Sequence, residues 1–221
     1  FSGFTVALGL YIFIVLFGIG KGLQNAFQEG FTRDAQNLIS IFTGKTTIAY
    51  EGLQADRQVT LNNSDYNAIV DAHPEKVQYS TPRYSTNLNV KYGKESGFYQ
   101  ISGANDEEVK IENRQLLNGR FISPKDIDEK QNVAVIGRMV QRDLIKNGDP
   151  VGKELEINGS VFKVIGVFSD DGGDWDERMI SIPISTLQQM KKGSDTVSTV
   201  YIAYDEKLNP EEIVDGLPVV V

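Results

Sequence analysis

Residues 149–168 read "DPVGKELEINGSVFKVIGVF", and the fold turns on how this stretch is understood. Gly152-Lys153 suggests a phosphate-cradling loop, whereas Asn158-Gly159 suggests a hairpin. A Walker loop needs G-x-x-x-x-G-K-[ST], because the glycines let backbone N–H groups wrap the phosphates while the Ser or Thr ligates magnesium. Here Glu154 follows Lys153, and no glycine stands five positions before Gly152, so a carboxylate would face the phosphate. Asn-Gly between alternating residues is instead the strongest short-range hairpin signal, since a type I′ turn needs positive φ at both central positions. The register follows: Ile157 faces Ser160, Glu156 faces Val161, Leu155 faces Phe162 and Glu154 faces Lys163. The last two are an apolar and an opposite-charge pair, each worth roughly 0.2–1 kcal/mol, and a slip of one residue loses both. The second strand, "VFKVIGVF", is apolar enough on both faces to enter a core.

On either side of the hairpin, short strands and helices mix. "VAVIG" (133–137) reads as a buried strand followed by a helix through about Ile145. After "ISIP", "STLQQMKK" reads as a short helix and "VSTVYIAY" as a strand. "NPEEIVDGL" opens a helix with Asn209 as cap and Pro210 at its first position, where a missing N–H costs nothing. Towards the N-terminus, "VQYSTPRYSTNLNVKYG" and "GFYQISGA" have the Tyr, Thr, Val and Phe content of strands between turn residues. "LNNSDYNAIVDAHP" reads as a short helix capped by Asn63 or Ser64, with Tyr66, Ile69 and Val70 on its apolar side and Pro74 as its stop. "TTIAY" reads as a strand. No repeat of fixed period is present.

The whole chain sets further bounds. Its 221 residues, 40% of them hydrophobic, can form one large domain or two small ones around a real core. Thirty acidic residues against 22 basic give a net charge of −8, which would repel a phosphate backbone, so nucleic acid is not expected as a partner. The absence of cysteine excludes thiol nucleophiles, disulfides and thiolate metal sites. "FSGFTVALGLYIFIVLFGIG" (1–20) carries no charge, and twenty residues of helix at about 1.5 Å each match the thickness of a bilayer's hydrocarbon core. A membrane helix is therefore expected here. The alternatives are a buried core helix or a cleaved signal, but the basic flank and cleavage pattern of a signal are missing. Beginning at Phe1 without Met, the chain is expected to be part of a longer protein. Beyond Lys21, Leu23, Phe27, Phe31, Leu38 and Phe42 recur near every fourth position, a helical stripe closed by Gly44. This predicts a stalk continuing the membrane helix, or a helix whose stripe packs on the domain's own sheet.

Candidate catalytic chemistry is thin. The single histidine, His73, lies in "DAHPEK" beside a helix-ending proline and reads as a solvated loop residue rather than a general base. No G-x-S-x-G elbow or S-x-x-K pattern occurs. "VAVIGR" has one glycine where a dinucleotide fingerprint needs three. The acidic run "SDDGGDWDE", with Asp170, Asp171, Asp174, Asp176 and Glu177, departs from the spacing of an EF-hand loop. It reads first as a solvated loop, with calcium binding or a paired-carboxylate hydrolase as the alternatives. Trp175 within it, if exposed, is better suited to a partner contact, because aromatics are favoured at interface hot spots.

"LLNGRFISPKDIDEKQNVAVIGRMVQRDLIKNGDPVGKELEINGSVFKVIGVF" followed by "ISIPISTLQQM" resembles the periplasmic core domain of MacB-like ABC transporter permeases, the superfamily that includes FtsX and the LolC and LolE proteins. The likeness rests on an ordered series: Gly119-Arg120-Phe121, Asp126, Val133 to Gly137, Asp149-Pro150, Gly152-Lys153, Asn158-Gly159, Val164 to Val167 and Ile182-Pro183. The resemblance implies an α+β fold in which an N-terminal transmembrane and stalk helix leads into a two-lobed periplasmic domain. Residues 1–20 would be the transmembrane helix and 21–43 the stalk. Residues 44–88 and 195–221 would form a porter-like βαβ lobe, and 89–194 an inserted β-rich lobe. It also implies work without an active site or cofactor of its own: the chain would couple cytoplasmic ATP hydrolysis to periplasmic events by mechanotransmission. Its partners would be an ABC ATPase subunit or domain, a second permease copy in a homo- or heterodimer, membrane lipid, and an adaptor or outer-membrane component. It would reside in the inner membrane with the domain on the periplasmic side. Leu23, Phe27, Phe31 and Leu38 are then the candidate stalk contacts, and Trp175 the candidate partner contact. The rival readings are the ectodomain of a membrane-anchored sensor and a membrane-tethered hydrolase.

Overall fold

The hairpin forms in the expected register. Asn158 and Gly159 both take positive φ, 48° and 87°, as a type I′ turn requires, and Leu155 and Phe162 are fully buried across from one another. The computed structural model describes residues 11, 13, 15, 17, 37–45, 54–205 and 207–214. In chain order the strands are β1 (Leu38–Phe42), β2 (Leu61–Asn62), β3 (Val77–Tyr92), β4 (Glu95–Ala104), β5 (Gln115–Gly119), β6 (Val133–Gly137), β7 (Glu154–Ile157), β8 (Ser160–Ser169), β9 (Met179–Pro183), β10 (Thr196–Val197) and β11 (Thr199–Tyr204). The helices are α1 (Asn63–Ala72), α2 (Glu108–Ile111), α3 (Pro124–Asp128), α4 (Arg138–Val140), which runs on as a π turn over Gln141–Ile145, α5 (Ile184–Met190) and α6 (Pro210–Val214).

Among the described residues the main sheet runs β1-β11-β3-β4-β9-β6-β8-β5, and β7 pairs with both β3 and β8. That double pairing of β7 closes a ring, β3-β4-β9-β6-β8-β7, in which β4–β9 and β6–β8 are parallel and the other four contacts antiparallel. Each of the six strands gives side chains to one apolar cluster, among them Val90, Ile101, Ile180, Ile136, Phe162 and Leu155. This is the alternation expected where one face of every strand looks inwards. Val140, Leu144, Ile145 and Leu187 complete the cluster from the two helical segments. On the other face of β6 and β8, Val133, Val135, Ile165 and Phe168 pack with Ile122 and Met179.

β3 is sixteen residues long and divides its pairing: Val77 to Arg83 lie along β11, and Tyr84 to Tyr92 along β4. Beside the first half, α1 covers a separate cluster of Leu61, Ile69, Ile184, Val197, Val200 and Ile202. The helix starts one residue earlier than Asn63 suggests. Asn62 accepts from the N–H groups of Ser64 and Asp65 at 2.8 and 3.0 Å, while the Asp65 carboxylate accepts from the N–H of Asn62 at 2.9 Å. This reciprocal box satisfies donors that a helix start otherwise leaves unpaired. His73 is the helix's C-cap and half-buried rather than solvated. At the C-terminal end Asn209 caps α6, accepting from Glu211 N–H at 3.2 Å.

The expected stalk helix is overturned at its C-terminal end. Leu38 and Phe42 belong to a strand, β1, paired antiparallel with β11 from Leu38↔Ala203 to Phe42↔Thr199; residues 38–42 are no part of a stalk helix, and Gly44 ends no helix. A spacing of four is even, so it keeps two side chains on one face of a strand as well as on one side of a helix. Ile39 and Ile41, β-branched and on the alternate face, pack on the α1 cluster and decide the matter. Leu23, Phe27 and Phe31 lie outside the described residues, as does "TTIAY". Within residues 1–20, Tyr11, Phe13, Val15 and Phe17 are helical and exposed. Among the described residues no helix is long and apolar enough to cross a membrane.

Candidate interaction surface

The loop between β8 and β9 crosses the end of the strand between them, β6. Its root is buried and polar. Glu177 is 1% exposed, and its carboxylate accepts from Arg138 Nε at 2.8 Å and from the N–H of Asp170 at 3.2 Å, so the last acid of the loop grips the first. A side chain at Gly137 would collide with the carbonyl oxygen of Glu177, which is why the end of β6 carries glycine. Arg178 reaches Asp143 on the π turn at 2.8 Å, and Asp170 accepts from Arg114 at 3.4 Å. Asp170 and Glu177 are therefore structural anchors, not solvated groups. Above this frame Trp175 is 85% exposed, flanked by exposed Asp171 and Asp174. No group of three or more His, Asp or Glu among the described residues is arranged to hold a metal ion.

Arg114 leads from the loop into a buried ionic cluster that the sequence did not single out. Its Nη1 donates to Glu108 Oε2 at 3.0 Å and to Ser181 Oγ at 3.1 Å, and its guanidinium stacks over the Phe168 ring at 4.7 Å. Arg83 donates to Glu108 Oε1 at 3.0 Å and also to Glu112. Ser102 and Ser181 donate to the two Glu108 oxygens at 3.2 and 3.1 Å. Burial pushes the Glu108 carboxyl up, but the Arg114 and Arg83 guanidiniums and the two hydroxyls outweigh it and hold the group below the usual carboxylate range. Arg83 is held above its ordinary value: burial acts against the charge, and Glu108 and Glu112 overcome it. The cluster ties β3, β4, β9, α2 and the root of the Trp175 loop together. In "NDEEVKIENRQ" it looks like an ordinary solvated charge run, because the partners Arg83, Ser102 and Ser181 come from other strands.

A second ion pair holds the segment after β5. Arg120 donates to Asp126 at 2.5 and 2.9 Å, and Asp126 also accepts from Ser123 N–H at 2.8 Å. The Arg120 hydrogen bond, opposed by burial and aided by Ser123, brings the Asp126 carboxyl down to about 2.

Among the described residues, then, the loop joins buried ionic anchors to one exposed aromatic side chain. The model of the MacB-like periplasmic core domain matches residues 4–218. The chain belongs to that family. Among relatives of the MacB-like core domain, the macrolide export ATP-binding/permease protein MacB of Chlorobium phaeobacteroides is 24% identical over 206 residues, covering 90% of this chain and 31% of that protein. The protein of the same name from Bdellovibrio bacteriovorus is 22% identical over 216 residues, 96% of this chain and 33% of the relative. The chain thus spans about a third of the length of the curated relatives it matches. In fold it is similar to the periplasmic region of MacB from Actinobacillus actinomycetemcomitans, with a TM-score of 0.71, 22% identity and coverage of 86% of this chain and 84% of the other. It is also similar to the extracellular domain of the ABC-type transporter YknZ from Gram-positive bacteria, with a TM-score of 0.65, 16% identity and coverage of 81% and 88%.

Proposed function

We propose that this MacB-like core domain is the outer part of an ABC transporter permease, placed on the periplasmic side of the inner membrane, and that it transmits nucleotide-driven movement rather than catalysing a reaction. The observation that carries the reading is the family match over residues 4–218, joined to a site whose buried acids are committed to structural partners. ATP hydrolysis then belongs to a separate domain or subunit. The segment 21–36, with Leu23, Phe27 and Phe31, is the stalk, and it delivers its motion to β1 through Leu38. The two lobes, 44–88 with 195–221 and 89–194, move relative to one another about β3, the strand that changes partner at Arg83 and Tyr84. Such a device needs two arrangements close in free energy, biased by the nucleotide state. Trp175 faces a partner or cargo.

The test uses the complete transporter reconstituted in proteoliposomes with its ATPase. Phe27→Asp with Phe31→Asp is expected to leave basal ATP hydrolysis intact and to abolish the coupled periplasmic activity. Full coupling in that variant would overturn the stalk assignment.

A further inference from the structure

Three segments meet near the start of β6 around an open recess of about 620 Å³, lined by Lys130, Asn132, Ser160, Thr186, Gln189 and Met190. Lys130 and Asn132 belong to the link from α3 to β6, Ser160 opens β8 just past the hairpin turn, and the other three lie on α5. The walls are tied to one another. Thr186 Oγ1 donates to the Gln131 carbonyl at 3.0 Å, Ser185 Oγ to the Ile127 carbonyl at 2.5 Å, and the N–H of Lys163 to the Asn132 carbonyl at 2.9 Å. Met190 packs on the ring cluster. The remaining four side chains are uncommitted: among the described residues, those of Lys130, Asn132, Ser160 and Gln189 make no hydrogen bond or ion pair within the chain. Lys130 is also out of place by local rules. It follows α3 at a φ of 51°, and both bonds of a Schellman stop are present, from its own N–H to the Ile127 carbonyl at 3.2 Å and from the N–H of Gln131 to the Asp126 carbonyl at 2.8 Å. Glycine is usual at that position, because a side chain is strained at positive φ. The turn by itself does not ask for lysine.

We infer that this recess binds a hydroxyl-rich ligand with one anionic group, the chemistry of an acidic saccharide. Its volume falls within the roughly 300–1,000 Å³ of small-molecule sites, but its lining is polar where most such sites are apolar, and that selects a polar occupant. The amides of Asn132 and Gln189 and the hydroxyl of Ser160 each both donate and accept, which is what a ring of sugar hydroxyls requires. Lys130 brings the one charge and no carboxylate lines the recess, so the charge on the ligand is negative; an ammonium–carboxylate hydrogen bond is stronger than a neutral one. The bonds that brace the walls involve Gln131, Ile127 and backbone groups and leave the four free side chains untouched. The walls are therefore in place before binding, which lowers the ordering cost. The recess adjoins the start of β6, whereas the Trp175 loop crosses its other end at Gly137. It needs neither the stalk nor coupling to an ATPase.

The probe is cellobiouronate, a disaccharide with one carboxylate, titrated into the ¹⁵N-labelled full chain in detergent and followed by amide chemical shifts. Cellobiose supplies the rings without the charge, and inorganic phosphate the charge without the rings. Cellobiouronate is expected to shift the amides of Asn132, Ser160 and Gln189 saturably and to bind about tenfold more tightly than cellobiose, the lower end of what a charge-assisted hydrogen bond is worth. Lys130→Gly keeps the left-handed turn and deletes the ammonium; it should erase the difference between the two disaccharides. Asn132→Ala with Gln189→Ala should weaken both, and Lys94→Ala, in the β3–β4 turn, neither. A free sugar and the headgroup of an acidic glycolipid carry the same chemistry. The chain in phosphatidylcholine nanodiscs with and without glucuronosyl-diacylglycerol distinguishes them: the same amides shifting in the glycolipid discs assign the headgroup, and shifting with cellobiouronate alone assigns a soluble ligand. No saturable shift with either overturns the proposal. So do equal affinities for cellobiose and cellobiouronate, phosphate binding as tightly as cellobiouronate, which would mark a bare anion site, and unchanged affinity in Lys130→Gly, which would leave Lys130 only a complement to the C-terminal end of α3.

Discussion

The ring interior and the Glu108 cluster are both buried, yet they hold the chain together by opposite means. Inside the ring, six strands contribute aliphatic and aromatic side chains that need only fill space. The cluster a few residues away buries a carboxylate with two guanidiniums and two hydroxyls, each placed for a specific oxygen. Apolar burial is non-directional and roughly proportional to area, so damage to the ring is local and graded. A buried ion pair repays its desolvation only with every partner present. The cluster therefore adds rigidity and direction at the junction of β3, β4, β9 and the Trp175 loop.

The contrast can be broken in order of size. Phe162→Ala, which removes a fully buried ring facing Leu155, is expected to cost about 4 kcal/mol by chemical denaturation; a loss under about 1 kcal/mol would mean that the ring interior is loosely packed. Glu108→Gln leaves Arg114 and Arg83 without their shared carboxylate and should cost about 3 kcal/mol. Adding Arg114→Met to it is expected to recover part of that loss, because the uncompensated charge is then gone. If the double variant is worse by the sum of the single losses, the cluster is not an ionic unit. Asp126→Ala removes an ion pair and a capping box and is expected to cost about 1 kcal/mol. Its pH signature is sharper than its size. The folded carboxyl titrates near 2 rather than the ordinary 3.8, so its contribution is complete above pH 3.8 and is lost as pH falls through 2. The wild-type chain should lose more stability across that window than Asp126→Ala, as followed by urea midpoints at each pH.

How much of this was legible depended on sequence distance. The β7–β8 hairpin was readable to the residue because Asn158-Gly159 and its alternating flanks are contiguous. The caps of α1 and α6 were visible to within one position for the same reason, and Trp175 stood out as an aromatic among acids. Leu38 and Phe42 misled because a four-residue interval serves a strand face as well as a helix, and only pairing with Thr199 to Ala203, some 160 positions away, separates the two. Glu108 gave no signal at all, since a carboxylate that will be buried is chemically identical to one that will be solvated.

By itself, then, the sequence determined the α+β character, the hairpin and its register and the family likeness, all of which follow from local pattern and residue chemistry. Tertiary structure alone decided the closure of six strands into a ring and the burial of Glu108 with Arg114 and Arg83. Those features depend on which distant segments are brought side by side, and the free energy of long-range pairing appears only when the whole chain packs.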